Sequence, residues 1–405
     1  MSLIDIHCHP SLKIFLFDTH LAKVAHPHNL NITAKMFVNL PGMQTGGVNA
    51  VTAAHYIPEQ SLIKDVKKRR FLRALVDFAE EVCGHFIESK FEDLSAPTAP
   101  FSQLKHMISL FESNVEEANN PPYNFKTKVA KSYAEFKELI NDGFTVFLHS
   151  VEGAHGLGHN IDYQTCENEI VELFDAGVCQ FTIAHFFENI LVSSQGGIPP
   201  KVKKEIDYTP DNTYAKGYNE TDHFAERSIA KMLDLGIIVD LVHCTPGAKE
   251  MIYSVNDSRG NSKRPLVFSH TGLREIAVKY NPKMTPEDLI YFPDATDVKR
   301  IQDCGGVLGI LFMHYWLDGF ENNEPAIKVI VETIQTIKDI CTNYDHVSIG
   351  TDLDGFTEVP KDLAGEEYMP NLVAEMKNQG ISQNDIHKIC FSNYMRVLEK
   401  GWGKK

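Results

Sequence analysis

The sequence predicts an α/β fold, a (β/α)8 TIM-like barrel, on three observations. Eight short apolar runs recur along the chain, at 3–8, 47–56, 144–152, 178–186, 237–243, 265–270, 306–312 and 346–352. Runs of this length bounded by turn residues read as buried parallel strands. Most are separated by segments of helical periodicity, at 61–93, 101–118, 131–141, 166–176, 220–235, 296–303 and 324–340. Strand followed by helix, repeated, implies parallel pairing. Finally, histidines and carboxylates stand at the carboxyl ends of several runs, the rim at which a barrel keeps its chemistry.

Taken in order, the first strand is Leu3-Ile4-Asp5-Ile6-His7-Cys8, and the second ends near Tyr56. Between strands two and three, about 57–143 reads as an elaborated helical crossover, with charged amphipathic stretches and the break Asn119-Asn120-Pro121-Pro122. Gly177, Gly236 and Gly305 each fall where a helix must end before the next strand, the position that favours a residue free to take positive φ. Residues 187–218, containing Gly196-Gly197-Ile198-Pro199-Pro200, form a long loop after strand four and read as a lid. A chain of 405 residues is long enough for two or three average domains, but barrels take well over about 200 residues in one unit. A single barrel over 1–405 is therefore expected.

Composition narrows the partners. The chain is 43% hydrophobic and carries a net charge of −15, which disfavours nucleic acid and anionic membranes, since both are gripped through Lys and Arg. Lys67-Lys68-Arg69-Arg70 reads as a solvated helix start. No run approaches the roughly 18 apolar residues of a membrane helix. Small molecules or proteins remain, and a homodimer is left open. The eight cysteines are spread singly without a CxxC pair, a pattern of reduced, buried thiols that fits a cytoplasmic setting. The opening Met-Ser-Leu leaves a removed leader open. The glycines at 42, 46 and 47 and at 305 and 306 lack the Lys-Ser or Lys-Thr pair of a phosphate loop.

Metal chemistry is read from the strand ends. In an extended strand alternate side chains share a face, so His7 and His9 point together into the barrel mouth and Cys8 away. His243 and His270 end two other apolar runs, where a buried imidazole needs a partner for its nitrogens. Each alone reads first as a hydrogen-bonded core histidine; the company of Glu152 and Asp352 reverses the reading, because carboxylates at strand ends are costly unless paired or bound to a cation. Two ions about 3.5–4 Å apart, bridged by Glu152, would hold a hydroxide and polarise a carbonyl together. Asp354 shares the parity of Asp352 and is its rival. His155, His159 and His314 read as polar loop residues, and Cys8 and Cys244 as non-nucleophilic neighbours of ligand positions.

These residues resemble a family. Asp5-Ile6-His7, Val151-Glu152-Gly153-Ala154-His155, the His185 segment, Asp240-Leu241-Val242-His243, Phe268-Ser269-His270, Ile349-Gly350-Thr351-Asp352-Leu353-Asp354-Gly355 and Ser392-Asn393-Tyr394-Met395-Arg396-Val397 are similar to the membrane or renal dipeptidases of the M19 peptidase group, within the amidohydrolase superfamily. The resemblance spans nearly the whole chain and implies a barrel of the metal-dependent hydrolase type. It implies two divalent ions, zinc by the family pattern, one held by His7, His9, Glu152 and Asp352, the other by Glu152, His243 and His270. It further implies that a bridging hydroxide attacks an amide carbonyl, most simply that of a dipeptide. His185 then stabilises the oxyanion and Asp352 shuttles the proton to the departing amine.

Two positions depart from the pattern. The family usually carries HxD on strand one, whereas this chain has His9; imidazole is an equally good zinc ligand. The family arginine that grips the terminal carboxylate of the peptide meets Asn281-Pro282-Lys283-Met284 here. Lys283 keeps the charge without the bidentate fork, and Arg274 is a second candidate anchor. Hydrolysis of another small amide or a lactone is the rival reading. A catalytically silent barrel using metal only for structure is a third.

Overall fold

The computed structural model describes residues 2–23, 36–59, 96–195, 213–313, 317, 325–355 and 359–403. Among these are nine strands: β1 (Leu3–Cys8), β2 (Val48–His55), β3 (Thr127–Val129), β4 (Thr145–Glu152), β5 (Val178–Thr182), β6 (Ile238–Asp240), β7 (Val267–Thr271), β8 (Val307–Ile310) and β9 (Val347–Ile349). All neighbouring strands pair in parallel, and the pairing of β2 with β4 closes the ring through β5 to β9 back to β1. Eight strands thus form a closed barrel. β3 stands outside it, sharing one edge of β4: residues 145–147 of β4 pair with β3, and 149–152 with β5.

Every expected strand is present, but several are shorter than their apolar runs. β6 ends at Asp240 and β9 at Ile349, because the chain beyond them leaves the extended region: His243 has φ 64°, Asp352 φ 58° and Asp354 φ 68°. Such values are uncommon for residues with a Cβ and tend to persist where surrounding structure enforces them, often at functional sites. Parity in β1 also changes. Ile4 and Ile6 pack inside the barrel while Leu3 and Cys8 pack in the outer layer, and the register with β2 shifts between Asp5 and Cys8.

The helices Ala99–Glu117, Tyr133–Asn141, Tyr163–Asp175, Phe224–Leu235, Ala295–Asp303 and Ala326–Cys341 fall where periodicity places them. Asp294 caps its helix in a reciprocal box with Asp297, satisfying donors the first turn leaves free. Gly177, Gly236 and Gly305 all take positive φ, at 98°, 88° and 75°. The expected helix at 61–93, the run Lys67–Arg70 and His314 lie outside the described residues. So does the middle of the expected lid; its ends are tied down by antiparallel bridges of Val192 to Tyr218 and Ser194 to Cys244. Helices Pro10–Phe17 and Asn393–Gly401 were not singled out by periodicity. The first is buried at seven of its eight positions, so it shows no polar face to mark its period.

The second does something the sequence does not advertise. Tyr394, Val397, Leu398 and Trp402 pack with Ile4, Ala50, Val146, Leu148, Ile238 and Val267, which belong mostly to the amino-terminal halves of the strands. The Tyr394 hydroxyl donates to Gln180 Oε1 at 2.9 Å. This apolar plug closes the bottom of the barrel and leaves polar residues to the other end. There the barrel is pinched: a Cβ on Gly309 or Gly350 would lie 2.0 or 1.8 Å from the carbonyl oxygen of Ser269. Gly350→Ala is therefore expected to destabilise the fold by about 1–3 kcal/mol, the range for overpacking a filled interior. A urea midpoint equal to wild type would show that the strands accommodate the methyl group.

Candidate metal centre

Four strand ends and two turns bring seven buried residues to the open rim: His7, His9, Glu152, His185, His243, His270 and Asp352. Glu152, the last residue of β4, stands at the middle. Its Oε1 lies 3.5 Å from His7 Nε2, 3.6 Å from His270 Nε2 and 3.8 Å from His243 Nε2. Its Oε2 lies 3.3 Å from His9 Nε2 and 3.7 Å from His185 Nε2. Asp352 Oδ1 is 3.1 Å from His9 Nε2 and 3.8 Å from His7 Nε2. The imidazole nitrogens also approach each other, at 3.1 Å for His7 and His9 and 3.4 Å for His243 and His270.

These spacings fit cations better than direct contacts. A tetrahedral zinc with bonds of about 2.0–2.2 Å separates its ligand atoms by roughly 3.3–3.6 Å. The electrostatics agree: burial, with the neighbouring imidazoles adding to it, holds His7 and His270 well below the usual histidine range, and burial with His185 does the same to His243. They are neutral, the ligand form. Burial, then the charge of Asp352, pushes Glu152 well above the usual carboxylate range, as expected of an acidic group with no positive charge beside it. Donor types, spacing and charge thus all suit divalent metal.

Which imidazole nitrogen faces inward is set by Ser269. Its hydroxyl lies 3.0 Å from His7 Nδ1, 2.9 Å from His270 Nδ1 and 2.5 Å from Asp240 Oδ2. With the single hydroxyl proton given to Asp240, both Nδ1–H groups donate to Ser269 and both Nε2 atoms are left as bare lone pairs, the outer-shell arrangement that orients histidine ligands. Asp240 is held in turn by Thr182 Oγ1 at 2.5 Å and by the backbone N–H groups of Ser269 and Val242. Asp5 plays the matching part at β1, accepting from Thr351 Oγ1 at 2.5 Å and from the N–H groups of Thr351 and His7.

Glu59 was missed at the sequence level. It lies just past β2, 3% exposed, and its Oε1 accepts from His185 Nδ1 at 2.7 Å and from Phe186 N–H at 3.0 Å. The Tyr56 hydroxyl donates to its other oxygen. Although burial opposes it, the adjoining His185 and His155 hold Glu59 at about 2. No spacing rule points to this residue; only the fold brings it under His185. Asp354, the rival of Asp352, turns elsewhere, accepting from Phe37 and Val38 N–H at 3.0 and 2.9 Å. His155 bonds the Ile57 carbonyl. Arg274 pairs with Asp294 at 3.1 Å, and Lys283 is on the loop following that helix, where its N–H bonds Asn281 Oδ1 at 3.2 Å.

The family model for membrane dipeptidase, peptidase family M19, matches residues 1–401. The chain belongs to this family. Among curated relatives, this M19 member is 24% identical over 277 residues to dipeptidase verJ of Clonostachys rogersoniana, covering 68% of this chain and 61% of that one. It is 27% identical over 227 residues to an uncharacterized dipeptidase of Schizosaccharomyces pombe, covering 56% and 47%. The chain thus spans about half to three-fifths of the length of these relatives. In structure it is similar to dipeptidase AC, a metallopeptidase of family M19, with TM-score 0.70 at 19% identity, covering 100% of this chain and 99% of that one. It is equally similar to a Rhodobacter sphaeroides metallopeptidase liganded with a phosphinate mimic of the dipeptide L-Ala-D-Ala, with TM-score 0.70 at 18% identity over 99% of both. At these identities the solved structures establish a shared fold. Among the described residues no helix is long and apolar enough to cross a membrane.

Proposed function

We propose that this M19 member is a dipeptidase whose rim holds two divalent ions, zinc by preference, in the two sets His7, His9, Glu152, Asp352 and Glu152, His243, His270. The observation that carries the reading is the central position of Glu152: its Oε1 lies 3.5, 3.8 and 3.6 Å from the Nε2 atoms of His7, His243 and His270 and its Oε2 3.3 Å from that of His9, so one carboxylate reaches residues of both sets. When bound, such a pair of ions supplies a water acidic enough to attack at neutral pH and an electrophile for the scissile carbonyl.

The chain's own groups do the rest. Asp352, beside His9, takes the proton of the attacking water and passes it to the departing amine. His185 Nε2, on the Glu152 Oε2 side, donates to the carbonyl oxygen as negative charge develops there. Glu59 fixes the His185 ring by accepting from Nδ1–H; donation from Nε2 as well takes the doubly protonated ring, whose positive charge would face the Glu59 carboxylate. Lys283 and Arg274 are the candidate grips for the terminal carboxylate; Arg274 serves only if its pair with Asp294 opens. A dipeptide is favoured over other amides by the family and by the dipeptide mimic bound to the Rhodobacter relative.

Zinc-loaded protein assayed against L,L- and L,D-dipeptides, N-acyl amino acids and lactones tests this directly. Hydrolysis of dipeptides with the highest kcat/KM is expected; turnover of lactones or N-acyl substrates alone would move the assignment to another amidohydrolase activity. Glu59→Gln, which keeps shape and removes the anionic acceptor, should lower kcat by about 10–100-fold, the usual cost of losing an outer-shell partner, with KM nearly unchanged. An unaltered kcat would remove Glu59 from the machinery.

A further inference from the structure

Behind β1, on the side away from the rim histidines, lies another group of ligating side chains. Asp5, Cys8 and Glu366 bring a carboxylate oxygen, a sulfur and a second carboxylate oxygen within 4.8 Å of one another, and all three residues are 0% exposed. Cys8 belongs to the outer packing layer, with its Sγ 3.9 Å from the Thr52 carbonyl oxygen. Glu366 opens the short turn Glu366–Tyr368. That turn is held against the segment before β2, which includes the helix Leu40–Gly46: Glu366 N–H bonds the Phe37 carbonyl at 3.4 Å, and a Cβ on Gly46 would lie 1.9 Å from the Glu366 carbonyl oxygen.

Asp5 Oδ1 accepts from the N–H groups of His7 and Thr351, and Oδ2 accepts from Thr351 Oγ1 and keeps a second lone pair. Among the described residues, Glu366 receives no N–H or hydroxyl hydrogen bond on either side-chain oxygen; its hydrogen-bonding neighbour is the Asp5 carboxyl. Burial first, then the charge of Asp5 and a carboxyl–carboxylate hydrogen bond with it, with Asp354 and Glu367 behind, push its carboxyl well above the usual range. A buried carboxylate is tolerated when it is neutralised or coordinated. One proton shared with Asp5 would satisfy one oxygen of each carboxyl and leave the thiol on its long bond to the Thr52 carbonyl, whereas a cation would engage all three side chains.

We propose that Asp5, Cys8 and Glu366 form a third metal site, separate from the rim and sealed from solvent, for a divalent first-row transition ion of the zinc type. A thiolate with two carboxylates selects against hard calcium and magnesium, which take oxygen ligands. Bound there, the ion ties β1, the strand that presents His7 and His9, to the turn at 366–368 near the end of the chain. Its role is to hold the first strand in register, not to touch substrate.

The sulfur makes the site separable from the rim, whose six proposed ligands offer only nitrogen and oxygen. Full-length protein produced in cobalt-supplemented medium should show a near-ultraviolet thiolate-to-cobalt charge-transfer band, and elemental analysis should find one ion beyond those at the rim. Glu366→Gln and Cys8→Ser should each lose the band and one equivalent of metal while keeping the visible spectrum of the nitrogen and oxygen sites. Glu366→Gln alone carries the test if Cys8→Ser does not fold. A wild-type protein without the thiolate band, a band that survives Cys8→Ser, or Glu366→Gln with undiminished band and stoichiometry would each overturn the proposal and leave Asp5 and Glu366 as a proton-sharing pair. The sulfur band is read whether or not the rim holds two ions, so failure of one assignment is distinguishable from failure of the other.

Discussion

Asp352→Asn is expected to lower kcat on the best dipeptide by about 10²–10⁴-fold, the span contributed by a positioned acid–base group, while the protein remains folded. Asparagine is the right probe for a structural reason. Asp352 sits at φ 58°, where Asn is among the few side chains tolerated, and its N–H still donates to the His7 carbonyl at 2.9 Å. Alanine at the same position would mix backbone strain with lost chemistry. The amide keeps one oxygen toward His9 but carries no proton between water and amine. Steady-state kinetics with circular dichroism on the same sample decides the matter: a folded variant with wild-type kcat would remove Asp352 from proton transfer.

Glu152→Gln should have the broader effect. Glu152 is the only residue assigned to both metal sets, so its loss weakens both, and activity is expected to fall below detection with metal content reduced at the same time. Metal-free stability should change little, since glutamine resembles the protonated carboxyl favoured by this buried, acid-flanked position. Metal analysis of the purified variant, set beside thermal unfolding in chelator, separates these outcomes. Full occupancy with full activity would mean that Glu152 is not a bridge.

Much of this architecture was legible in the sequence because barrel strands are apolar on both faces and interrupted by helices of a different period. Of the strands shorter than their apolar runs, β6 and β9 end just before His243 and Asp352 turn into the left-handed region, and apolar runs carry no information about φ. β3 was invisible at three residues, too short to show an alternation. Tyr394 and Val397 of the plug stand in a quoted motif, but neither they nor Trp402 could be read as a lid on the barrel floor, since nothing local tells where that helix docks.

The site divides in the same way. His7, His9, Glu152, His243, His270 and Asp352 were found because each ends an apolar run, a position where an unpartnered polar group is costly. Ser269 and Asp240 stood inside quoted motifs, yet their work, fixing the ring tautomers of His7 and His270, depends on three strands meeting. Glu59 lies 126 residues from His185 and Glu366 lies near the opposite end of the chain from Asp5 and Cys8. Contacts of that range leave no period to read.

The central claim is that Glu152 lies between two cations. Anomalous diffraction from crystals grown with zinc measures this directly. Two strong peaks about 3.5–4 Å apart, one among His7, His9 and Asp352, the other beside His243 and His270, with the Glu152 carboxylate reaching both, is the expected result. A single peak enclosed by four protein ligands, or metal at the rim that leaves Glu152 uncoordinated, would contradict it.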